Sequence, residues 1–505
     1  MDRGSRTKAW PCRASFLSFL IASNAAFLLV SCAAVDDTPR AAESESAPPT
    51  LEALRGTWLG AVELPGGRQL RMGVEILRKA DDSIGASFAS LDQGARYLPV
   101  RRVSLDGGEL TVLVDSPALT ITGTLADDLA TIDGRIAQGN AFDPIVFERV
   151  AAFPATGEMR PQTPRPPFPY LSEEVRIHNA EDDVWLSGTL SRPSASEAVP
   201  AVVFVGGSGP SYRDYEDHQL PLVLADYLAR RGIAVLRYDK RGVYRSTGRY
   251  STATEADFAR DAAAAYRYLA GRPADIDSSR VGFIGHSEGS QVAARAMAEM
   301  GAAAAFIVSM AGVGLPPVET TVLQDGTETA AEGATAEEVV VLTAFSSRFY
   351  RAAIDESDEG RRPETLRALY DELSGREREI VIGWYGEYGS QAPTLNVNIA
   401  SREAFVSDMR LPGPAVYWAE IDVPILLLFG GKDSQVPANE HVAGITRALD
   451  GRPVDSRIFP EKNHLFQTAV TGGVDEYGEI DETISPDVLA YIADWLEHRS
   501  GGTPR

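Results

Sequence analysis

The sequence predicts an α/β fold, a mostly parallel sheet with helices on both faces and a helical insertion, preceded by a small all-β barrel or sandwich. Three patterns carry that expectation. From about residue 171 onward, nearly continuous apolar runs alternate with helical patterns, as strands buried on both faces should. Between 51 and 150, apolar residues instead alternate one by one between Gly, Asp and Pro turns, the mark of half-covered antiparallel strands. The two regions are joined by residues 154–169, six of which are proline, a composition that favours an extended connection.

The elements follow in order. Arg3, Arg6, Lys8 and Arg13 form a basic leader, and the apolar stretch 14–30 after it has the pattern of a secretory signal. It ends in Leu29-Val30-Ser31-Cys32, which resembles the bacterial lipobox. That resemblance implies cleavage before Cys32 and lipidation of its thiol. It places the protein in the bacterial cell envelope, lipid-anchored and facing the periplasm. The chain has only two cysteines, Cys12 and Cys32, so cleavage would leave no disulfide and one lipid-bearing Cys. No later segment is long and apolar enough to span a bilayer. Residues 33–50 have no periodic apolar face and read as a tether.

In the β region, Leu70-Arg71-Met72-Gly73-Val74-Glu75-Ile76 is apolar at every second position. Similar runs recur at 57–64, 85–91, 110–114, 119–125 and 131–136. Gly56-Thr57-Trp58 resembles the opening of lipocalin- or avidin-type barrels, but over so short a match a stabilising or spacer role is favoured over ligand binding. In the α/β region the expected strands are 199–205, 232–238, 280–285, 304–310, 423–429 and 456–459, with helices at 220–230 and 258–269. About 110 residues separate the strand ending near 310 from the one starting near 423, and they carry helical patterns at about 335–355 and 363–382. So long a connection is expected to be a cap over the site. The expected organisation is a signal peptide over 1–31, a tether over 32–50, a β domain over 51–150, a linker over 151–170 and an α/β domain over 171–505. The cap occupies about 313–420.

Gly285-His286-Ser287-Glu288-Gly289 follows a predicted strand and precedes the helical run 290–300. It matches G-x-S-x-G, whose glycines allow a turn tight enough to push the serine hydroxyl into the open. A hydroxyl needs a neighbouring base. In such folds the order along the chain is Ser, acid, His, which prunes the six histidines. His178, His218 and His286 come before the serine or beside it, His441 falls in a helical pattern, and His498 lies near the terminus. His464, just after the last strand, is the candidate base. Asp433, off the end of the preceding strand, is the candidate acid, with Asp455 a poorer alternative at the start of the next. The oxyanion donors are assigned to the backbone N–H groups of Glu288 and of Ser208, the latter in Gly206-Gly207-Ser208-Gly209-Pro210.

These residues carry a family resemblance. From about 171 onward the chain resembles the α/β-hydrolase superfamily, and in particular bacterial carboxylesterases with G-G-S-G-P after an early strand and D-K-R-G after the next, here Asp239-Lys240-Arg241-Gly242. The resemblance implies cleavage of carboxylic esters of short to medium acyl chain through an acyl-enzyme. In the family's D-x-R-G-x-G-x-S turn, Tyr244 stands here where the second glycine is expected. The same three residues also serve thioesterases and serine peptidases, although prolyl-type peptidases usually carry a large repeat-built propeller that the N-terminal region lacks. A non-catalytic lipoprotein binding a ligand through its β domain is the reading from another class.

The remaining bulk features exclude more than they assign. A formal net charge of -23 disfavours a general nucleic-acid partner. No H-E-x-x-H is present, Glu461 and His464 offer a single ligand pair, and glycines 206, 207 and 209 suit an oxyanion loop better than a nucleotide loop. Neither a metal nor a cofactor is expected. The expected partners are a small ester and, through Cys32, the membrane. Trp384, Tyr385 and Tyr388 either line an acyl pocket or pack the cap.

Overall fold

The structure, a computed structural model, describes residues 49–500 apart from 65–66, 140, 155–159, 196, 216–217, 302–303 and 387–402. Cys32 and its leader and tether, and Tyr388, lie outside the described residues.

Eight antiparallel strands form a closed barrel: β1 (Gly56–Leu64), β2 (Arg68–Arg78), β3 (Ile84–Ser90), β4 (Ala95–Asp106), β5 (Glu109–Val114), β6 (Leu119–Leu125), β7 (Thr131–Gln138) and β8 (Ala141–Val150). Closure pairs Thr57 with Val150. It leaves no open edge, which settles barrel over sandwich. Alternation sends Trp58, Met72, Val74, Phe88, Ile121, Ile136 and Phe147 inward, all fully buried, so side chains fill the interior. Trp58 Nε1 donates to Leu54 O at 2.9 Å.

The second sheet holds β9 (Tyr170–Asn179), β10 (Val184–Pro193), β11 (Val199–Val205), β12 (Ala234–Tyr238), β13 (Ile276–His286), β14 (Ile307–Met310), β15 (Ile425–Gly430) and β16 (Asp455–Phe459). Their order is β16-β15-β14-β13-β11-β12-β10-β9. The strands from β12 to β16 run parallel, and the hairpin β9–β10 adds an antiparallel edge. Two cores sandwich this sheet. On one face, α1 (Leu220–Arg230) and α11 (Pro486–Ser500) bury Leu220, Leu224, Leu228, Leu489 and Ile492. On the other, α2 (Glu255–Ala270), α3 (Glu288–Glu299) and α10 (Ala438–Ala448) bury Ala262, Ala293, Met297 and Ile445. After β11 the chain first adds β12 on one side and then β13 on the other. The carboxyl ends of β11 and β13 therefore flank the point where the sheet order switches, where open α/β sheets build their sites.

Between β14 and β15 stand the cap helices α4 (Pro317–Ala331), α5 (Ala336–Asp355), α6 (Arg362–Asp371), α7 (Gly375–Tyr385) and α8 (Glu403–Met409), followed by the short α9 (Ala415–Trp418). The cap has a core of its own, including Leu342, Phe345, Phe349, Leu366, Tyr370, Val381 and Tyr385. Tyr385 is fully buried there and Trp384 packs against it, so both belong to the cap core. Helix α5 starts at a capping box, in which Glu338 N donates to Thr335 Oγ1 at 3.3 Å and Thr335 N donates to Glu338 Oε2 at 2.8 Å.

The proline-rich connection lies along the α/β body: Arg160 donates to Ile480 O at 2.6 Å and Tyr477 O at 2.9 Å, and Gln162 to Ile484 O at 2.8 Å. The barrel meets the loop after β12. Lys79 Nζ donates to the carbonyls of Tyr244 and Ser246, and Ala80 N donates to Arg245 O at 2.8 Å. Asp115 accepts from Arg249 Nε at 3.2 Å and from Ser251 N at 2.9 Å.

Candidate active site

Ser287 sits between the end of β13 and the start of α3 with φ 56° and ψ −129°, a conformation that strains an L-residue. The flanking glycines are required. A Cβ on Gly285 would lie 2.5 Å from Gly289 O, and one on Gly289 would lie 2.1 Å from Val205 O. Ser287 N donates to Met310 O at 2.9 Å, which ties the elbow to the neighbouring strand. The Ser287 hydroxyl has no hydrogen-bond partner among the described residues.

Gly207, at the end of β11, lies against the serine: a Cβ there would stand 3.1 Å from Ser287 Cβ. Its own N–H is taken by the Tyr215 hydroxyl, which accepts it. The next N–H, that of Ser208, and that of Glu288 at the first turn of α3 have no acceptor among the described residues. Both assigned oxyanion donors are therefore uncommitted.

His464 and Asp433 come together. His464 Nδ1 is 2.8 Å from Asp433 Oδ2, with both side chains buried. Asp433 Oδ1 is held separately by the N–H groups of Gln435 at 2.9 Å and Val436 at 2.8 Å. The His464 loop folds on Asn463, whose Oδ1 accepts from Leu465 N at 3.1 Å and Gln467 N at 3.0 Å. This loop crosses β15 so closely that a Cβ on Gly430 would lie 2.4 Å from Lys462 O, and one on Gly431 would lie 2.6 Å from Pro460 O. The Gly430-Gly431 pair thus lets the acid and base loops touch, a role that sequence reading missed although the doubled glycine signals a close backbone approach.

The other histidines take structural places. His286 Nε2 lies 3.1 Å from His464 O, and the rings are 4.8 Å apart between centroids. Burial and the neighbouring His464 push His286 down to about 3, so it is a neutral donor supporting the base loop. His441 lies in α10 as expected, and its Nδ1 accepts Gly314 N–H at 2.9 Å, fixing the root of the cap. Asp455, the poorer acid candidate, instead accepts from Trp495 Nε1 at 2.7 Å. A cavity of about 440 Å³ lined by Glu52, Arg55, Glu75, Arg78 and Arg245 borders the barrel and includes none of the candidate site residues.

Tyr244 explains its departure from the expected glycine. It holds the left-handed backbone that glycine would adopt, with φ 44°. Its ring lies 4.3 Å from Tyr97 of the barrel and 5.5 Å from Tyr212, which follows the oxyanion loop. The strain is offset by an aromatic contact between the two domains.

Fold and site define the class: residues 202–470 match the alpha/beta hydrolase family, more than half of the chain, and the protein belongs to that family. Among individual relatives, 291 residues are 28% identical to the esterase EstD of Thermotoga maritima, covering 56% of this chain and 58% of that protein, so the match spans less than two-thirds of the relative's length. A solved esterase structure from Pyrococcus furiosus is similar over 66% of this chain and 92% of its own, at 18% identity and a TM-score of 0.39. A hypothetical protein from Pseudomonas aeruginosa is similar over 66% of this chain and 94% of its own, at 19% identity and a TM-score of 0.42.

Proposed function

We propose that the protein hydrolyses carboxylic esters of short to medium acyl chain through an acyl-enzyme on Ser287. The observation that carries this reading is the buried 2.8 Å contact between His464 and Asp433, on the loops beside the half-buried serine of the elbow. With Nδ1–H donated to Asp433, His464 keeps the Nε2 lone pair free to act as base. The Ser287 Oγ–H proton passes to Nε2 while Oγ bonds to the ester carbon and the carbonyl π pair moves onto oxygen. The Ser208 and Glu288 N–H groups receive that oxyanion. Collapse expels the alcohol oxygen, which takes the proton from His464. Water, deprotonated by the same imidazole, then releases the acid and regenerates the serine. Unliganded hydroxyl–imidazole contacts are commonly long and tighten with substrate, which fits the unbonded Ser287 hydroxyl. The esterase EstD similarity supports the choice of ester over thioester or peptide.

The test is hydrolysis of 4-nitrophenyl acetate by wild type and Ser287→Ala. A loss of at least about 10³-fold is expected; equal rates would favour a binding lipoprotein instead. A panel of acyl esters from acetate to palmitate should show rates falling at long chains, and preference for palmitate would overturn the acyl-length reading. We also propose that Cys32 carries the lipid that anchors the protein in a bacterial envelope, facing the periplasm. Mass spectrometry of the mature N-terminus should find a diacylated or triacylated Cys32, and an unmodified thiol would refute the anchor.

A further inference from the structure

Lys240, the second residue of D-K-R-G, has no part in the relay above, yet its ammonium is buried between the two halves of the oxyanion site. The side chain is 6% exposed. Its Nζ donates to Gly207 O at 2.5 Å and to Glu288 Oε2 at 3.0 Å, and it lies 4.6 Å from the centre of the Phe258 ring.

The chemistry of the first bond is specific. Gly207 O and Ser208 N–H are the two ends of one peptide unit. A cation bonded to the carbonyl oxygen draws electron density through the amide. It makes the N–H at the other end a stronger donor and fixes the plane in which that N–H points. The second bond holds the ammonium in place through the carboxylate of Glu288, the residue whose backbone N–H is the other donor. One buried charge thus spans both donor-bearing segments, where low dielectric magnifies its effect.

We propose that Lys240 is a positioning residue for transition-state stabilisation: it polarises and orients the 207–208 peptide so that Ser208 N–H meets the oxyanion, using Glu288 as its anchor. This rests on the oxyanion and nucleophile roles proposed above. A charge that acts through the oxyanion donor is felt only once negative charge develops on the substrate, so its removal lowers kcat and spares KM.

The experiment compares wild type, Ser287→Ala and Lys240→Met on 4-nitrophenyl acetate, together with inhibition by an alkyl trifluoromethyl ketone, which forms a tetrahedral oxyanion on a nucleophilic serine. Lys240→Met is expected to lose about 10- to 100-fold in kcat, less than deletion of an oxyanion donor outright, with KM within about twofold. Its affinity for the ketone should weaken by a similar factor. Should Lys240→Met fail to fold, Lys240→Arg against Lys240→Gln decides, because arginine keeps the charge and glutamine keeps only a neutral donor. Arginine should retain at least several-fold more kcat. Unchanged kcat and ketone affinity in Lys240→Met, a loss confined to KM, or equal kcat for Arg and Gln would overturn the proposal. If Ser287→Ala itself remains active, the nucleophile assignment fails instead, and the two failures are told apart by that arm.

Discussion

The α/β body carries two additions, the barrel and the cap, and the buried charges beside the one and inside the other are arranged differently. Within the body, behind the loop that the barrel meets, the buried arginines have carboxylate partners. Arg213 grips Asp239 with Nε at 2.9 Å and Nη2 at 2.8 Å, and also reaches Ser187 and Thr189. Arg241 holds Asp261 and Asp182 at 2.7 Å each. In the cap, Asp325, Glu328 and Asp408 have no bonded cation among the described residues, and burial raises all three carboxyls. A paired charge fixes a geometry, whereas an unpaired buried acid stays neutral until pH drives it to ionise. The loop that the barrel abuts is therefore fixed from within the body by paired charges, while in the cap three buried acids stand without one.

The largest way to break this contrast is to remove one member of a buried pair. Asp239 is fully buried, and Asp239→Asn leaves the buried Arg213 with only the exposed carboxylate of Glu174, 2.9 Å away, as an ionised partner. A loss of about 3–5 kcal/mol is expected in urea unfolding. A loss below about 1 kcal/mol would mean that the pair is not what fixes this side. A smaller effect is expected at the domain contact itself. Tyr97→Ala removes the ring that lies 4.3 Å from both Tyr212 and Tyr244. It should cost about 1–2 kcal/mol and separate barrel and body into two calorimetric transitions. A single unchanged transition would show that the bonds from Lys79 Nζ and Ala80 N suffice.

The same contrast governs how much could be read from sequence. The elbow was legible because its geometry tolerates only glycine at 285 and 289, and the order of Asp433 and His464 follows from the fold. Strands β4 and β8 were not. A register shift between Val100 and Arg102 breaks the alternation of β4, while Pro144 and the outward-facing Phe142 and Val146 blur that of β8. Strand β9 carries Ser, Glu and Arg on an edge with one polar face and does not read as a buried strand. Helix α4 was hidden by four threonines and Gly326, all weak helix formers, with Gly326 kept because a Cβ would meet Thr343 at 2.7 Å. Lys240 and Tyr244 lay in a quoted motif, but their partners are brought in by tertiary structure from Gly207, Glu288 and Tyr97, and no local spacing encodes them.

On the cap side, Asp408 of α8 accepts Glu255 N–H at 3.1 Å, close to the start of α2. Burial, with Glu255 and Glu288 nearby, lifts it to about 7 against the opposing pull of that N–H and of Arg295. Its folded value lies above the unfolded one of about 3.8, so the stability it contributes is complete below that value and is lost as pH rises through about 7. Asp408→Asn should flatten the fall in melting temperature between pH 4 and 8, by about 1–2 kcal/mol after allowance for its partial exposure. Parallel curves for the two proteins would remove Asp408 from the account.

Asp325 gives the smallest expected effect and the sharpest contrast with Asp239. Both are buried aspartates, at 3% and 0% exposure. Asp325, however, accepts from Ser346 Oγ and from no cation, and burial holds its carboxyl well above the usual range. Burial thus favours its neutral form, which asparagine reproduces in shape while still able to accept the Ser346 hydroxyl. Asp325→Asn should change stability by less than about 1 kcal/mol, whereas Asp325→Leu, which strands that hydroxyl, should cost about 1–3 kcal/mol. If the asparagine variant is instead destabilised as severely as Asp239→Asn, then Asp325 is ionised in the folded protein. A cation must then reach it, and the electrostatic distinction between the two regions disappears.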